Sequence, residues 1–566
     1  HYPITGEVIN LHLEEYFEDI SSTRIRENID SGRDISNLID PVAQNYIFEN
    51  GLYMREPAYK HILQARDIHL EDLKKSDSSV IDDMKEELTA QGYDINIVSS
   101  YLDSEKVRVI TIRDGNLDNK IVAVAAASKL DSIDFLSAFH DQDIAAYIRS
   151  KAAGSIAVIG GLFFNSESRL TNLEQVILME MLSELLAKDY TYVVYHPCDK
   201  AGLSSPIVST VTKQGFVNIA PKGSLPIFAV DMRSPVIIFK NVDTVIKHPL
   251  NKNEAVLEAV EKAHDKMLSM LTSIYPGELI LSYNSGILYH KIINRIAQIN
   301  DVSPVPYEQK AYGKYMAVPF GKLLEGAAVP NTVTKSMHTE KYFYRDVSDF
   351  TIEEKSYYST LENQVKTIKS FNRPVILVDD LLHKGYRMNE IDPILKANDV
   401  QVVETVVGVQ TGRGRDLMTI KERTVDSAYF LPNLKCWIDE SDMYPYIGGD
   451  SMKDKGVSVG SQTVIPSLNL ILPFAVPTFL GNISGKDLYN YSMTCLENAH
   501  EILKTIESEY QKLFEKKLTL KRLGEVINDP KNPDMVNHLT PDANTAPSEY
   551  IENDMEKLIR MRKMFK

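Results

Sequence analysis

The chain has 566 residues, 43% of them hydrophobic and 25% charged, with a formal charge of −16. That length suits roughly three or four domains with cores of their own, and the acidic balance excludes a general nucleic-acid or anionic-membrane surface, which needs basic patches. Cys198, Cys436 and Cys495 are far apart and odd in number, so no disulfide framework or zinc site is spelled out and a reducing, cytoplasmic home is expected.

No apolar run is long enough to span a bilayer; the longest, 468–480, carries Pro473 and Pro477. An α/β multidomain chain is expected, in five segments: 1–60, a charged helical linker over 61–105, two stretches of alternating strand and helix signals over 106–240 and 241–484, and a helical C-terminal extension over 485–566.

The first segment holds Ile20-Ser21-Ser22-Thr23-Arg24-Ile25-Arg26. A hydroxyl cluster opening a helix is a natural N-cap. Its free N–H groups suit phosphate oxygens, and Arg24 and Arg26 add charge-assisted donors. A second helix is expected over 41–50, closed by Gly51. This stretch resembles the end of nicotinate-mononucleotide and phosphopantetheine adenylyltransferases, whose nucleotidyltransferase domain is Rossmann-like. The resemblance implies a helical remnant of that domain, with Ser21, Ser22, Thr23 and Arg26 toward nucleotide phosphates. The family's Gly-rich strand and His-x-x-His motif would precede His1. The expectation is therefore the C-terminal part of a longer polypeptide, in which adenylyl or cytidylyl transfer would reside.

In the third segment, strands are expected over 107–112 and 121–128, joined through the turn Asp114-Gly115-Asn116. They are followed by strand 155–164, helix 173–186, strand 190–195, helix 205–214 and strand 227–230. The order, with Thr212-Lys213-Gln214-Gly215-Phe216 before the last strand, resembles the mixed α/β GNAT-type N-acetyltransferase fold. That resemblance implies acetyl-CoA, whose pyrophosphate the family holds in a Gly-rich loop after the central strand. Here that loop, 165–172, has no glycine and carries Glu167, which makes close backbone approach to an anion harder.

The fourth segment holds Pro374-Val375-Ile376-Leu377-Val378-Asp379-Asp380-Leu381-Leu382-His383-Lys384-Gly385-Tyr386-Arg387. Successive apolar residues suggest a fully buried strand of a parallel sheet. Ligands of open α/β sheets sit beyond the carboxyl ends of the strands. Two acids, a glycine turn and a helix start then offer one place for sugar hydroxyls or Mg²⁺ and another for a phosphate. The segment resembles the 5-phosphoribosyl-1-pyrophosphate (PRPP) signature of type I phosphoribosyltransferases. The resemblance implies a parallel-sheet domain, Asp379 and Asp380 on the ribose and as tentative Mg²⁺ ligands, and His383, Lys384, Gly385, Tyr386 and Arg387 on the 5-phosphate. His383, Lys384 and Arg387 stand where small or hydroxyl residues are usual.

Further likenesses follow in order. A strand over 278–282, the turn Asn284-Ser285-Gly286 and helix 287–299 resemble the family's pyrophosphate loop. Tyr312 to Tyr344, with Lys314, Lys322, Lys335 and Lys341, resembles its mobile loop. Trp437 with Asp439 resembles a hood on the base side, core packing of Trp437 being the plain alternative. Arg413 and Arg415 suit a phosphate contact or a solvated turn. In an active enzyme, pyrophosphate would leave C1 with Mg²⁺ neutralising it, and loop closure would exclude water.

The last segment is expected as one or two long helices over 485–526, with a loop-rich stretch over 528–548. The amphipathic part, 488–518, suits packing on the core or self-association as a homo-oligomer. Three functions stay open: an enzyme using PRPP or a related phosphorylated small molecule, a PRPP- or nucleotide-sensing module that has lost catalysis, and an acyl-CoA-dependent N-acetyltransferase.

Overall fold

The computed structural model describes residues 68–565, apart from 75–76, 104–105, 132–134, 153, 166–171, 198–200, 307, 310, 323, 326, 345, 356–357, 454–456, 460–461 and 534–541, together with Ile25, Ile39 and Ala43. The N-terminal helices expected over 20–51 and the residues Ser21, Ser22, Thr23 and Arg26 lie outside the described residues.

The first elements are β1 (Ile68–Lys74), α1 (Ser78–Ala90), α2 (Ile95–Leu102), β2 (Val107–Asp114), β3 (Lys120–Leu130), α3 (Phe135–Phe139), α4 (Gln142–Lys151) and β4 (Ser155–Phe164). Then come α5 (Leu173–Ala187), β5 (Tyr190–Tyr195), α6 (Ser205–Lys213), β6 (Val217–Asn218) and β7 (Phe228–Lys240). Strands β1 to β4 pair antiparallel in chain order, β4 pairs β5 parallel, and β5 and β6 pair β7 antiparallel. The 61–105 linker is thereby corrected: β1 is an edge strand of this sheet, and α1 and α2 pack on it through Ile81, Met84, Leu88, Val98 and Leu102. The charges that made β1 read as linker are partnered across the strand pair. Arg113 meets Glu71 at 3.2 Å and Arg108 meets Asp72 at 3.3 Å.

The expected break after residue 240 is also corrected. The distal half of β7 pairs in parallel with β8 (Glu278–Asn284) on one side and β16 (Cys436–Asp439) on the other, so one sheet runs through the boundary. Between them the chain forms α7 (Val242–Val245), α8 (Glu254–Ile274), α9 (Ser285–Asn300), β9 (Met316–Pro319), β10 (Val333–Thr334), β11 (Thr339–Phe343) and β12 (Phe350–Glu354). It continues with α10 (Leu361–Ser370), β13 (Val375–Leu382), α11 (Tyr386–Ala397), β14 (Val402–Thr411), α12 (Gly412–Ile420) and β15 (Val425–Leu431). A second sheet, β10-β9-β13-β14-β15, is parallel throughout. The near-continuous burial of β13 is the reason it reads as an apolar run. The stretch 312–344, expected as a mobile loop, instead supplies strands β9, β10 and β11, and most of its described residues are buried.

After β16 come β17 (Asp450–Met452), β18 (Val457–Val459), β19 (Gln462–Leu468), α13 (Gly485–Phe514), β20 (Lys531–Asn532) and α14 (Pro547–Met561). Strands β11, β12 and β17 to β20 form a third, smaller sheet. Helix α13 buries Tyr491, Cys495, Ala499, Ile502, Ile506 and Tyr510 at helical spacing, against α8 and α14. Ser484 caps it, accepting from Asp487 N at 3.1 Å.

Helix α5 joins the sheets. It is apolar all round because it is covered on both sides, by β2 and β3 and by β15. Its one buried carboxylate, Glu180, takes Lys291 Nζ at 2.6 Å and the Tyr429 hydroxyl. Ser183 and Tyr283 hydrogen-bond at 3.1 Å, and the Tyr283 and Tyr429 rings lie 4.6 Å apart. The first, mixed sheet and the parallel sheet thus share one core.

Candidate functional site

Two sets of parallel strands bring their carboxyl ends close together. β13 delivers Asp379 and Asp380, β9 leads to Gly321 and Lys322, β7 ends at Lys240 and β16 ends at Asp439. Lys322 joins the sets: its Nζ lies 2.6 Å from Asp442 Oδ2 and 3.7 Å from Asp439 Oδ2. A cleft outside the carboxyl ends of parallel strands is where such sheets bind ligands.

Asp379 and Asp380 are buried. The Asp379 carboxylate accepts from Asp380 N at 2.9 Å, and Asp380 accepts from Leu381 N at 3.2 Å. Gly321 makes room for them, because a Cβ there would sit 2.3 Å from Asp379 Oδ1 and 2.4 Å from Asp380 Oδ1. Arg387 Nη1 lies over both acids, at 3.5 and 3.3 Å. Burial, then the charge of Asp380, push the Asp379 carboxyl well above the usual range. Burial also penalises the charge on Arg387, but Asp380 and Asp379 outweigh it and hold its guanidinium above its ordinary value. In this structure Arg387 therefore serves the acids, while its backbone opens α11.

The turn expected to take a phosphate lies beside a second one. Gly385 has φ +67°, in the left-handed region that favours glycine, and its Cα faces the Leu417 side chain. His383 Nδ1 is 2.9 Å from Thr411 Oγ1, and Thr411 caps α12 by accepting from Gly414 N at 3.2 Å. The N-termini of α11 and α12 are thus drawn together with Lys384 and Arg413 beside them. Burial, then Lys384 and Arg413, push the His383 imidazole below its usual value. Tyr386 is exposed and stands edge-on to Phe350 at 4.9 Å. Arg415 lies over the Phe430 ring at 4.7 Å.

On the opposite wall, Asn241 Nδ2 donates to Asp439 Oδ1, and Lys341 Nζ lies 3.6 Å from Asp450. Burial pushes the Asp439 carboxyl up to about 7; Lys322 opposes this, and Asp442 and Asp380 add to it. Burial also penalises charge on Asp442, but Lys322 outweighs it and holds that carboxyl below its usual range. Asp442, Asp450 and Asn241 were not singled out from sequence. The signal was present in Asp439-Glu440-Ser441-Asp442, an acid run directly after a strand, the same pattern as Asp379-Asp380.

Other expected residues fall as follows. Asn284 caps α9, its Oδ1 accepting from Gly286 N at 2.9 Å, and Ser285 is buried. Trp437 is half-buried and stacks on Phe239 with ring centroids 5.8 Å apart, against the shared core. Of the lysines over 312–344, Lys322 and Lys341 reach the cleft wall, whereas Lys335 is buried with its Nζ 4.9 Å from the Phe371 ring centroid.

The pair expected to take Mg²⁺, Asp379 and Asp380, is spanned in this structure by Arg387. Among the described residues no group of three or more His, Cys, Asp or Glu side chains could hold a metal ion. Also among the described residues, no helix is long and apolar enough to cross a membrane. For acetyl-CoA, β4 runs on past Ile159, the last residue it pairs with β5. Most of the loop that follows, including Glu167, lies outside the described residues. Tyr101 covers Gly160 and Gly161, whose Cβ positions would fall 2.6 and 2.8 Å from its ring.

No protein-family model matches the sequence, and no curated protein matches it. Part of the chain is similar in fold to solved N-acetyltransferases. NAA60 of Arabidopsis thaliana in complex with acetyl-CoA is 12% identical, with a TM-score of 0.21 over 29% of this chain and 98% of that one. Arylalkylamine N-acetyltransferase 2 from Aedes aegypti is 14% identical, with a TM-score of 0.22 over 29% of this chain and 99% of that one. The ribosomal-protein-S18-alanine N-acetyltransferase from Escherichia coli is 10% identical, with a TM-score of 0.20 over 29% of this chain and 93% of that one.

Proposed function

We propose that this chain is a transferase-type protein whose cleft, at the ends of β13 and β16, takes a phosphorylated ribose compound of the PRPP class. One observation carries it: a buried pair of neighbouring acids closes the central strand of a parallel sheet and opens onto a glycine turn and a helix N-terminus. Asp379 and Asp380 accept hydrogen bonds from the ribose hydroxyls. The diol takes the place that Arg387 holds over the pair, and the released guanidinium turns to the 5-phosphate beside His383 and Lys384. One cation thus serves the acids before binding and the phosphate after it.

The test is calorimetric titration of Mg-PRPP into the chain and into the double variant Asp379→Asn, Asp380→Asn. Saturable heat in the parent and none in the variant is expected; equal heats in both would sink the proposal. Pyrophosphate release alongside separates a transferase from a sensing module.

A second function, acyl-CoA-dependent N-acetyl transfer, is favoured by the order of the first sheet, in which β4 parallels β5 and then runs past it. Acetyl-CoA would supply the activated acyl group. Titration with acetyl-CoA tests it, and a chain that takes up none up to millimolar concentration does not have that function.

A further inference from the structure

After α13 the chain forms a strap, residues 524–532, tied to several elements around the cleft. Gly524 O accepts from Lys247 Nζ at 2.8 Å, Val526 O accepts from Lys247 N at 2.8 Å, and Asn528 N donates to Val245 O at 2.8 Å. Asp529 meets Lys355 at 2.6 Å. Strand β20 then pairs in parallel with β19, which sets Lys531 opposite Ile465.

Lys531 is held unlike the other lysines of this region. Lys322, Lys341 and Lys355 each meet a carboxylate: Asp442 at 2.6 Å, Asp450 at 3.6 Å and Asp529 at 2.6 Å. Lys531 is buried, and among the described residues its Nζ meets only the Ser451 hydroxyl, at 2.5 Å. An ammonium carries three donors, and burying its charge without a counter-anion is costly.

Ser467 adds a second unmet group. It is the direct partner of Ser451 in the antiparallel pair of β17 and β19, and direct partners project to the same face. Ile465, opposite Lys531, lies two residues back along β19 and so on that face as well. Ser467 is fully buried, and among the described residues its Oγ has no hydrogen-bond partner. Gly449 packs against it: its φ is +138°, and a Cβ there would lie 3.3 Å from Ser467 Cβ. The Gly449 N–H goes to Asp442 Oδ1, which joins this group of residues to the cleft wall.

We propose that Lys531, Ser451 and Ser467 form a site for a free tetrahedral oxyanion of the phosphate class, separate from Asp379, Asp380 and the turn at 383–387. Two N–H groups of the ammonium and two hydroxyls are donors supplied by three neighbouring strands. An ion with several oxygens accepts from all of them, and its charge meets the buried ammonium. Asp442 and Asp450, the acids beside the site, are already met by Lys322 and Lys341. Ser451, Ser467 and Lys531 keep 1%, 0% and 7% of their exposure, which suits a small enclosed ion and not the phosphoryl end of a larger molecule. Bound there, the ion ties β20 to β17 and β19 and fastens the strap.

The proposal does not rest on the ribose compound, and its test contains no PRPP. Inorganic phosphate, sulfate and methyl phosphate are titrated into the chain at constant ionic strength, with sodium chloride as the control. Calorimetry reads the binding, and hydrogen exchange over 524–532 reads the strap. Saturation by phosphate at about millimolar concentration or below is expected, with slower exchange in the strap and with methyl phosphate at least about tenfold weaker. Ser467→Ala removes a hydroxyl that has no partner to lose, so the variant should fold as the parent does and bind phosphate about tenfold more weakly. Lys531→Met should abolish binding, and Lys384→Ala, in the turn at 383–387, should leave it unchanged. No saturation by phosphate up to about 10 mM, equal affinity in Ser467→Ala, equal binding of methyl phosphate, or binding lost in Lys384→Ala and kept in Lys531→Met overturns the proposal.

Discussion

Asp439→Asn is the substitution whose energetics the structure states most directly. Burial, with Asp442 and Asp380 adding and Lys322 opposing, raises the Asp439 carboxyl from 3.8 to about 7. A raised carboxyl keeps its proton in the folded chain while the unfolded chain has already released it. Its contribution to stability is fully present below the unfolded value and is lost as pH rises through the folded one. Roughly three units at 1.36 kcal/mol each make that loss about 4 kcal/mol between pH 4 and pH 8. Asparagine does not titrate, and its oxygen still accepts from Asn241. Lys322 keeps Asp442 at 2.6 Å. The stability of the variant relative to the parent should therefore climb by about 4 kcal/mol across that range, or roughly 1 M in urea midpoint for a slope of about 3 kcal/mol/M. The assay is urea unfolding read by Trp437 fluorescence, which reports the strand that carries Asp439. A difference between variant and parent that stays constant from pH 4 to pH 8 would refute the electrostatic account of this wall.

Gly321→Ala places a methyl 2.3 to 2.4 Å from the Asp379 and Asp380 oxygens; about 1–3 kcal/mol of destabilisation is expected in thermal unfolding, with loss of Mg-PRPP heat. Arg387→Met strips the acid pair of its cation and should cost about 3 kcal/mol or more; a variant as stable as the parent would mean that the contact carries little. Lys291→Met leaves the buried Glu180 with the Tyr429 hydroxyl alone. A similar cost is expected there, with hydrogen exchange rising first in β15, the strand that α5 ties to the other sheet.

Much of the local structure is written in local sequence. β4 and β5 occupy the spans expected for them, and β13, β14 and α5 do so within a few residues, because apolar runs and helical spacing are short-range signals. The acid pair and its glycine turn were legible for the same reason, since strand, acids, turn and helix are contiguous. The edge strand β1 was hidden because its charges look solvated in sequence and find partners such as Arg108 and Arg113 some forty residues on in the chain.

Sequence by itself thus determined which residues form buried strands, where the acids sit at a strand end, and why a glycine follows them. Only the tertiary structure decided the rest. β8 and β16 leave the parallel sheet to pair with β7, because pairing depends on backbone edges distant in sequence. Arg387 turns back onto Asp379 and Asp380, because unneutralised buried acids draw the nearest cation. Asp439 and Asp442 come opposite the acid pair because α5 locks two sheets into one core, and the field they set up in the cleft exists only once the chain has closed around it.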